Sequence, residues 1–356
     1  MFNLLTLPIE LLLSIFNYLV DSDICRISET CSELNYAVEL YGMWYQLCSD
    51  KYHIAIKPDS DINWKSVYKN LKVGLRIHKK KEIKLHTDIV RYLLYNQQDS
   101  TLITASYDHS IKIMNYEKGK VTSTLNGHTD SVIGLQIMDN KLISCSRDST
   151  IKIWNLPVAT NIETLTGHNK SVVCLKNLND QYHLVSGSFD KNIIMWDINT
   201  CQKLRRYDTS NQVRWLDTMD NNIISGGDDG FIRIWDRDLK TLTNKIYHSS
   251  RVHSVIYHDN LLISGGEDSI IKIWDTRNNK CMGSLSGHTD CIRYLQFDNN
   301  HIISGSWDCN IKIWSLVAAK ELVSLPHYSY VLCFQSLNNK ILSGTYDGYI
   351  FDWKIK

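Results

Sequence analysis

The chain has 356 residues, of which 43% are hydrophobic and 22% are charged, the balance of an ordinary globular protein. Its formal net charge of +1 provides no overall field that would attract nucleic acid or an anionic membrane. Its ten cysteines form no C-x-x-C pair and no Cys/His cluster, which argues against a structural zinc site or a disulfide framework. Scattered cysteines within predicted strands, such as Cys174, Cys291 and Cys333, indicate reduced thiols in an intracellular protein.

The first twenty residues, MFNLLTLPIELLLSIFNYLV, are apolar enough to be compared with a signal peptide. They lack a positive n-region and a small-residue cleavage site, and Pro8 and Glu10 interrupt the run. The interruptions also argue against a membrane-spanning helix. We therefore expect this segment to belong to a folded domain, with no membrane partner and a cytoplasmic or nuclear location, and targeting is the less favoured alternative.

A helix is predicted from about Pro8 to Tyr18, because proline and glutamate are favourable in a first helical turn. Helical spacing gives this helix two apolar faces, one formed by Ile9, Leu12, Leu13 and Phe16 and the other by Leu11, Ile15 and Tyr18. A helix that is apolar on two sides needs burial on both. A module of about 44 residues is also near the size at which a domain needs outside support, so the second face predicts a partner.

The run LPIELLLSIFNYLVDSDICRISETCSEL, followed by MWYQLC, resembles the F-box family. The resemblance lies in the order of a Leu-Pro start, a Glu, an Ile-Phe pair, a closing Leu, an acidic turn and a later Cys and Trp, and Leu34 departs from it where many members carry Trp. It implies a small all-α module at residues 1–48 that docks on the Skp-type adaptor of SCF ubiquitin ligases. The docking residues implied by the resemblance are Leu7, Pro8, Ile9, Leu12, Ile15, Phe16 and Leu19. The alternative is an ordinary small helical domain that uses these residues as its core.

Residues 49–75 are predicted to form a helical linker. Trp64, Val67, Tyr68 and Leu71 follow helical spacing after Asp61, a plausible N-cap. No Gly/Ser-rich stretch separates this segment from the residues after position 75, so we expect a stiff connection.

The rest of the chain, residues 76–356, repeats with a period of about 40 and four short strands per unit, which predicts a seven-bladed β-propeller. The third strand of each repeat ends at a tryptophan or its replacement, and an outer fourth strand follows. These residues are Met114, Trp154, Trp196, Trp235, Trp274, Trp314 and Trp353. The chain ends three residues after the last of these, so the seventh repeat lacks an outer strand. A strand at 80–85 is expected to supply it and to close the ring. The basic run at 78–81 is then interpreted as a solvated edge strand rather than a nuclear-localisation or nucleic-acid signal.

Histidine, serine and aspartate recur together in the repeats, for example as His128, Ser144 and Asp148. A catalytic triad occurs once, beside an oxyanion hole, whereas a set repeated from blade to blade is a structural device. The repeats resemble WD-repeat proteins, which implies a buried hydrogen-bond network from Trp through Ser/Thr and His to Asp. We therefore expect no catalytic residue, no metal and no cofactor. Met114 and Thr209 break the pattern in the first and fourth repeats, where less rigid blades are expected.

Two positions in each repeat are expected at one end of the ring, here called the top face. The first position lies five residues after the repeat's His or its replacement, and the second directly precedes its Asp. The first gives Arg91, Ile133, Val173, Arg214, His253, Arg293 and Leu332; the second gives Tyr107, Arg147, Phe189, Asp228, Glu267, Trp307 and Tyr346. Arg251 and Tyr330 are added from two residues earlier than the first position.

Arginine with aromatic residues is the composition of interaction hot spots, and arginine captures phosphate in a bidentate manner. In F-box/WD-repeat receptors, arginines at these positions hold phosphorylated degrons, which makes Arg91, Arg147, Arg214 and Arg293 candidate phosphate ligands. The candidate substrate-binding set is Arg91, Arg147, Arg214, Arg251, His253, Arg293, Trp307, Tyr107 and Tyr346. Asp228 and Glu267 lie in the same columns, and a mixed charged rim held by salt bridges is the alternative.

Together these features predict a non-enzymatic substrate-recognition subunit of an SCF-type cullin-RING ubiquitin ligase. Its expected partners are the Skp-type adaptor and a protein substrate, phosphorylated or not, with no nucleic acid. The alternatives are a non-degradative interaction scaffold and a competitor for the adaptor. A propeller hydrolase is disfavoured, because no single repeat gains a catalytic set.

Overall fold

The computed structural model of the protein describes residues 77–219, 222–258, 261–298, 301–316, 318–337 and 340–355. In these ranges 28 strands form seven sheets of four antiparallel strands, and no helix occurs among them. The predicted seven-bladed propeller is therefore confirmed. The expected module at 1–48, its docking residues and the helical linker at 49–75 lie outside the described residues.

Each blade is built from four strands that run in chain order from the axis of the ring to its outside. Blades 1 to 4 contain β2 (Val90–Asn96), β3 (Thr101–Ser106), β4 (Ile111–Asn115) and β5 (Lys120–Leu125); β6 (Val132–Met138), β7 (Lys141–Ser146), β8 (Ile151–Asn155) and β9 (Thr160–Leu165); β10 (Val172–Asn177), β11 (His183–Ser188), β12 (Asn192–Asp197) and β13 (Gln202–Asp208); β14 (Val213–Met219), β15 (Asn222–Gly227), β16 (Phe231–Asp236) and β17 (Leu242–Tyr247).

The remaining blades follow the same plan, except that the outer strand of the last one precedes all the others in the chain. Blades 5 to 7 contain β18 (Val252–His258), β19 (Leu261–Gly266), β20 (Ile271–Asp275) and β21 (Lys280–Leu285); β22 (Ile292–Asp298), β23 (His301–Ser306), β24 (Asn310–Ser315) and β25 (Lys320–Pro326); β26 (Val331–Leu337), β27 (Lys340–Thr345), β28 (Tyr349–Ile355) and β1 (Ile77–Lys84).

The core lies between neighbouring blades rather than within one of them. The second strand of each blade is buried over its last five residues, whereas outer strands such as β5 are mostly exposed. One apolar cluster joins Ile143 and Ile153 of blade 2 to Trp196 and Ile198 of blade 3. Strands buried on both faces read as continuous apolar runs, which explains segments such as KLISCS and IKIWN.

The ring is closed by β1, which pairs antiparallel with β28 from Ile77 opposite Ile355 to Lys84 opposite Tyr349. The expected bounds of 80–85 were wrong by three residues at the start and one at the end. The polar run at 78–81 has no apolar pattern that would locate the start of a strand. Pairing with β28 determines where β1 begins.

The closing strand is also more than a solvated edge. The ammonium of Lys79 lies 4.5 Å from the ring centre of Phe351, and that of Lys84 lies 4.6 Å from Tyr349. Lysines over aromatic faces gain cation–π attraction while their stems cover apolar surface. Lysines of the closing strand, one of them in the basic run, therefore contribute to its attachment.

Candidate functional site

The recurring His, Ser and Asp side chains form buried structural networks. In blade 2 the Nδ1–H of His128 donates to Asp148 at 2.7 Å, and its Nε2 lies 2.8 Å from the Ser144 hydroxyl. The indole N–H of Trp154 donates to the same hydroxyl at 2.8 Å. Burial alone would raise the pKa of Asp148, but hydrogen bonds from His128 and Thr150 outweigh it and hold the pKa well below its ordinary value.

The same arrangement recurs in other blades, which is why it does not mark an active site. His to Ser/Thr and His to Asp contacts also occur in blades 1, 3, 5 and 6. In blade 4, where Thr209 replaces the histidine, Asp229 instead pairs with Arg233. Within the residues that the structure describes, no group of His, Cys, Asp or Glu could hold a metal ion, and no helix is long and apolar enough to cross a bilayer.

A β-bulge in each innermost strand determines where the first-column residues lie. The pairing of β2 with β3 shifts register between Val90 and Tyr92, which leaves Arg91 without a partner in the ladder. The same one-residue shift occurs in every blade, and the bulged residues are Arg91, Ile133, Val173, Arg214, His253, Arg293 and Leu332. A bulge redirects one side chain away from the regular alternation. The whole first column therefore consists of bulged residues at the start of the innermost strands.

The second-column residues are fixed beside the first by one backbone hydrogen bond per blade. The amide of Tyr107 donates to the carbonyl of Ile89 at 3.0 Å, and the amide of Trp307 donates to that of Cys291 at the same distance. Equivalent bonds occur in the other five blades at 3.0 to 3.2 Å. The turn between the second and third strands is thereby tied to the start of the innermost strand, so both columns lie at one end of the ring.

Three first-column side chains form what we call the axial basic cluster: Arg91, His253 and Arg293. The Arg293 Nη1 lies 2.9 Å from Nδ1 of His253, and Nη1 of Arg91 donates to the Leu332 carbonyl at 3.5 Å. Because a guanidinium can only donate, His253 Nδ1 must accept, which places the imidazole proton on Nε2. Arg91 and His253 are buried, each about 6% exposed.

The electrostatics of this cluster favour an anion. Burial and the neighbouring Arg91 lower the pKa of Arg293 to about 10, and burial together with Arg293 lowers the pKa of His253 to about 2. Within the described residues neither Arg91 nor Arg293 is paired with a carboxylate, and the buried Nε of Arg293 has no hydrogen-bond partner there. Uncompensated arginines near one another, beside a neutral histidine, are arranged to receive negative charge.

Two other candidate arginines are already engaged. Both Nε and Nη2 of Arg214 donate to the carboxylate of Asp228, and its guanidinium lies 4.9 Å from the ring centre of Phe189. Arg251 pairs with Glu267 at 3.1 Å, with both side chains about half exposed. Among the described residues the candidate arginines thus divide into those with a carboxylate partner, Arg214 and Arg251, and those without one, which the columns alone did not show.

Aromatic side chains of blades 6, 7 and 1 lie at the top face beside the arginines. The Arg293 guanidinium lies 5.3 Å from the ring centre of Trp307. Trp307 stacks on Tyr330, whose ring in turn meets Tyr346 edge-on. Arg147 lies 4.5 Å from the ring centre of Tyr107 and donates to its hydroxyl at 3.2 Å.

An aromatic layer formed by residues next to the first column was not predicted from the sequence. Tyr92, Trp215 and Tyr294 come from blades 1, 4 and 6 and meet with ring centres 6.1 and 5.2 Å from Tyr294. They line a cavity of 510 Å³ enclosed by the innermost strands. Each of these three aromatic residues directly follows a bulged residue in the sequence. A single repeat, however, does not show that residues from distant blades meet.

Comparisons with known families agree with this architecture. Residues 4–50 match the F-box-like family. Six segments, 78–115, 119–155, 159–197, 201–236, 239–275 and 279–315, match the WD domain, G-beta repeat family. Each matched segment contains one outer strand followed by three strands of the next blade. The set covers β1 to β24. No curated protein matches the chain.

The four strands beyond the matched segments, β25 to β28, contain the seventh repeat with an altered network. His327 contacts Ser343 at 2.8 Å, but its Nδ1 donates to the carbonyl of Leu325 instead of to an aspartate. The structure nevertheless forms β26 to β28 into a blade like the other six. The matched repeats cover more than half of the sequence, so the chain belongs to the WD-repeat family and carries an F-box-like domain ahead of its seven-bladed propeller.

Proposed function

We propose that the protein is the substrate-recognition subunit of an SCF-type cullin-RING ubiquitin ligase. The F-box-like residues 4–50 would bind a Skp-type adaptor, and the top face would bind a protein substrate through an anionic, phosphorylated segment. The observation that carries the proposal is the presence in one chain of an F-box-like domain and a propeller whose top face holds two arginines, Arg91 and Arg293, that have no carboxylate partner among the described residues. The chain itself would catalyse nothing; it would raise the effective concentration of a substrate lysine near the conjugating enzyme.

The axial basic cluster supports a phosphorylated ligand. A phosphate carries nearly two negative charges and several acceptor oxygens, which suit the two guanidinium groups of Arg91 and Arg293. His253 remains neutral and fixes the orientation of Arg293 through their 2.9 Å contact. Arg214 and Arg251 are held by Asp228 and Glu267, so we assign them supporting positions at the rim.

Co-purification of the full chain with a Skp-type adaptor and a cullin tests the first half of the proposal. The double variant Pro8→Ala, Leu12→Asp should lose adaptor capture, because it places a charge on the proposed docking face. Tyr182→Ala, which alters an exposed loop between β10 and β11, serves as the control and should retain capture. Failure of the wild-type protein to capture the adaptor, or equal capture by the double variant, would refute the assignment.

A reconstituted ubiquitination reaction then separates a receptor from a competitor for the adaptor. A receptor promotes ubiquitin transfer to a bound protein, whereas a competitor reduces transfer by other receptors. A plain interaction scaffold would bind partners on the propeller without capturing the adaptor at all.

A further inference from the structure

Three aromatic side chains on blades 6 and 7 form an exposed patch, which we call the aromatic arc: Trp307, Tyr330 and Tyr346. They are 36%, 43% and 51% exposed. Isolated exposed apolar residues are common on protein surfaces and need no explanation. Three large rings in mutual contact, rimmed by charged groups, instead mark an interaction site.

The contacts within the aromatic arc show which rings remain open. Trp307 contacts two neighbours. The Arg293 guanidinium lies 5.3 Å from its ring centre, and Tyr330 stacks on it with ring centres 5.9 Å apart and an interplanar angle of 30°. Tyr346 meets Tyr330 at 5.6 Å and 75°. Trp307 therefore links the arc to the axial basic cluster, and the two tyrosines provide the free surface.

The charges beside the arc decide what kind of group it accepts. The guanidinium of Arg293 lies against Trp307, and Arg91 is near enough to lower the pKa of Arg293, so the ring that links the arc to the axial basic cluster already carries a cation. A cationic side chain or a methylated lysine would be repelled there. A neutral aromatic ring has no such penalty and continues the edge-to-face and stacked geometry already present among the three rings.

We propose that the aromatic arc binds an aromatic side chain of the same extended peptide whose anionic residue occupies the axial basic cluster. This inference rests on the proposed function of the top face as a ligand-binding surface. The ligand class is a peptide with two determinants, one phosphorylated residue and one phenylalanine, tyrosine or tryptophan.

The geometry also sets the spacing between the two determinants. The Arg293 guanidinium lies 5.3 Å from the ring centre of Trp307, and that ring centre lies 5.9 Å from the ring centre of Tyr330. Because an extended chain advances about 3.3 Å per residue, the aromatic residue lies roughly two to four positions from the anionic one. A single phosphotyrosine cannot supply both determinants, since its phosphate is attached to its own ring while Arg293 and Tyr330 are separated by the whole of Trp307.

A degenerate peptide library with a fixed central phosphoserine, and the same library with unmodified serine, provides the test. The full-length protein is immobilised and the residues enriched at each flanking position are determined. We expect phosphate-dependent retention with aromatic enrichment two to four positions from the phosphoserine. Replacing the enriched residue by alanine in a single labelled peptide should weaken binding by about tenfold, the scale of an interface hot spot.

Variants of the protein test whether the aromatic enrichment comes from binding to the aromatic arc. Tyr330→Ala should abolish the difference between the aromatic and alanine peptides while binding still depends on the phosphate. Tyr182→Ala, a tyrosine of similar exposure in a loop at the opposite end of blade 3, should leave the difference intact. Phosphopeptide retention without aromatic enrichment, or enrichment that survives Tyr330→Ala, would overturn the inference and leave the proposed function in place. Retention of neither library would overturn the phosphopeptide ligand itself and the inference with it.

Discussion

Single residues in this protein separate into those that repeat from blade to blade and those that do not. The repeated ones are buried and hydrogen-bonded: Ser144 is fully buried and receives contacts from both His128 and Trp154. Buried polar groups are stable only when they are paired, so each network rigidifies its blade. The residues that vary, above all at the bulge, are the ones that contact one another across the top face.

Asp148→Ala should destabilise the protein by about 1–3 kcal/mol, because it leaves the buried Nδ1–H of His128 without its acceptor. Asp347→Ala is the matched control in blade 7, where His327 donates to a carbonyl and Asp347 contacts Thr345 instead. Urea unfolding monitored by tryptophan fluorescence measures both. Equal losses for the two variants would contradict the assigned role of the His–Asp contact.

Stability should fall as the pH drops from about 6.5 to about 4, in part because of His327. Burial lowers the pKa of His327 to about 4, below its ordinary value near 6.5. The unfolded chain therefore takes up this proton at a higher pH than the folded one, and protonation of the unfolded state weakens folding across that range. The loss is at most about 3 kcal/mol by pH 4 and is absent above pH 7.

Urea unfolding at a series of pH values checks this expectation. His327→Gln should flatten the slope of stability against pH between 6.5 and 4, while Ser343→Ala, which keeps the imidazole, should lower stability without flattening the slope. An unchanged slope in His327→Gln would show that this histidine is not responsible.

Individual strands depend on their neighbours to different degrees. The second strands of the blades are apolar on both faces and were recognisable from the sequence. The closing strand β1 is half lysine and was placed at 80–85 instead of Ile77–Lys84. Its position is decided by pairing with β28 and by the aromatic rings under Lys79 and Lys84. No local pattern encodes a strand whose partner lies about 270 residues away.

Ile83→Pro should destabilise the protein by at least about 2 kcal/mol, since proline cannot donate to the ladder opposite Ile350. It also exposes the edge of β28, which promotes association between molecules. Val121→Pro in β5, the outer strand of blade 1, is the control and should cost less, because β5 is the outer strand of a single blade and does not join the two ends of the ring. Thermal unfolding and light scattering at several protein concentrations measure both effects.

At the scale of the whole molecule, seven similar blades produce a face that is not symmetric. Blades 1, 5 and 6 supply the axial basic cluster, blades 6 and 7 supply the aromatic arc, and blades 4 and 5 hold the carboxylates Asp228 and Glu267. The fold is repetitive because each blade buries its apolar faces against the next. The proposed binding specificity is carried by the positions that the repeat leaves free, and the F-box-like domain supplies the proposed link to the ligase.

The sequence by itself determined the number of blades, the closing of the ring by an N-terminal strand and the structural nature of the His–Ser–Asp sets. The blade number and the His–Ser–Asp sets arise from local periodicity, because each strand is defined by residues close together in the chain and the same pattern occurs seven times. The closing strand follows instead from the outer strand that the seventh repeat lacks. It also identified the two columns that reach the top face. Only the tertiary structure decided that, among the described residues, Arg91 and Arg293 have no carboxylate partner while Arg214 is held by Asp228, and that Trp307 bridges Arg293 and Tyr330. The Arg214–Asp228 contact joins side chains 14 positions apart, whereas Arg91 reaches the Leu332 carbonyl 241 positions away. The packing of blades around the closed ring, rather than local pattern, determines these distances.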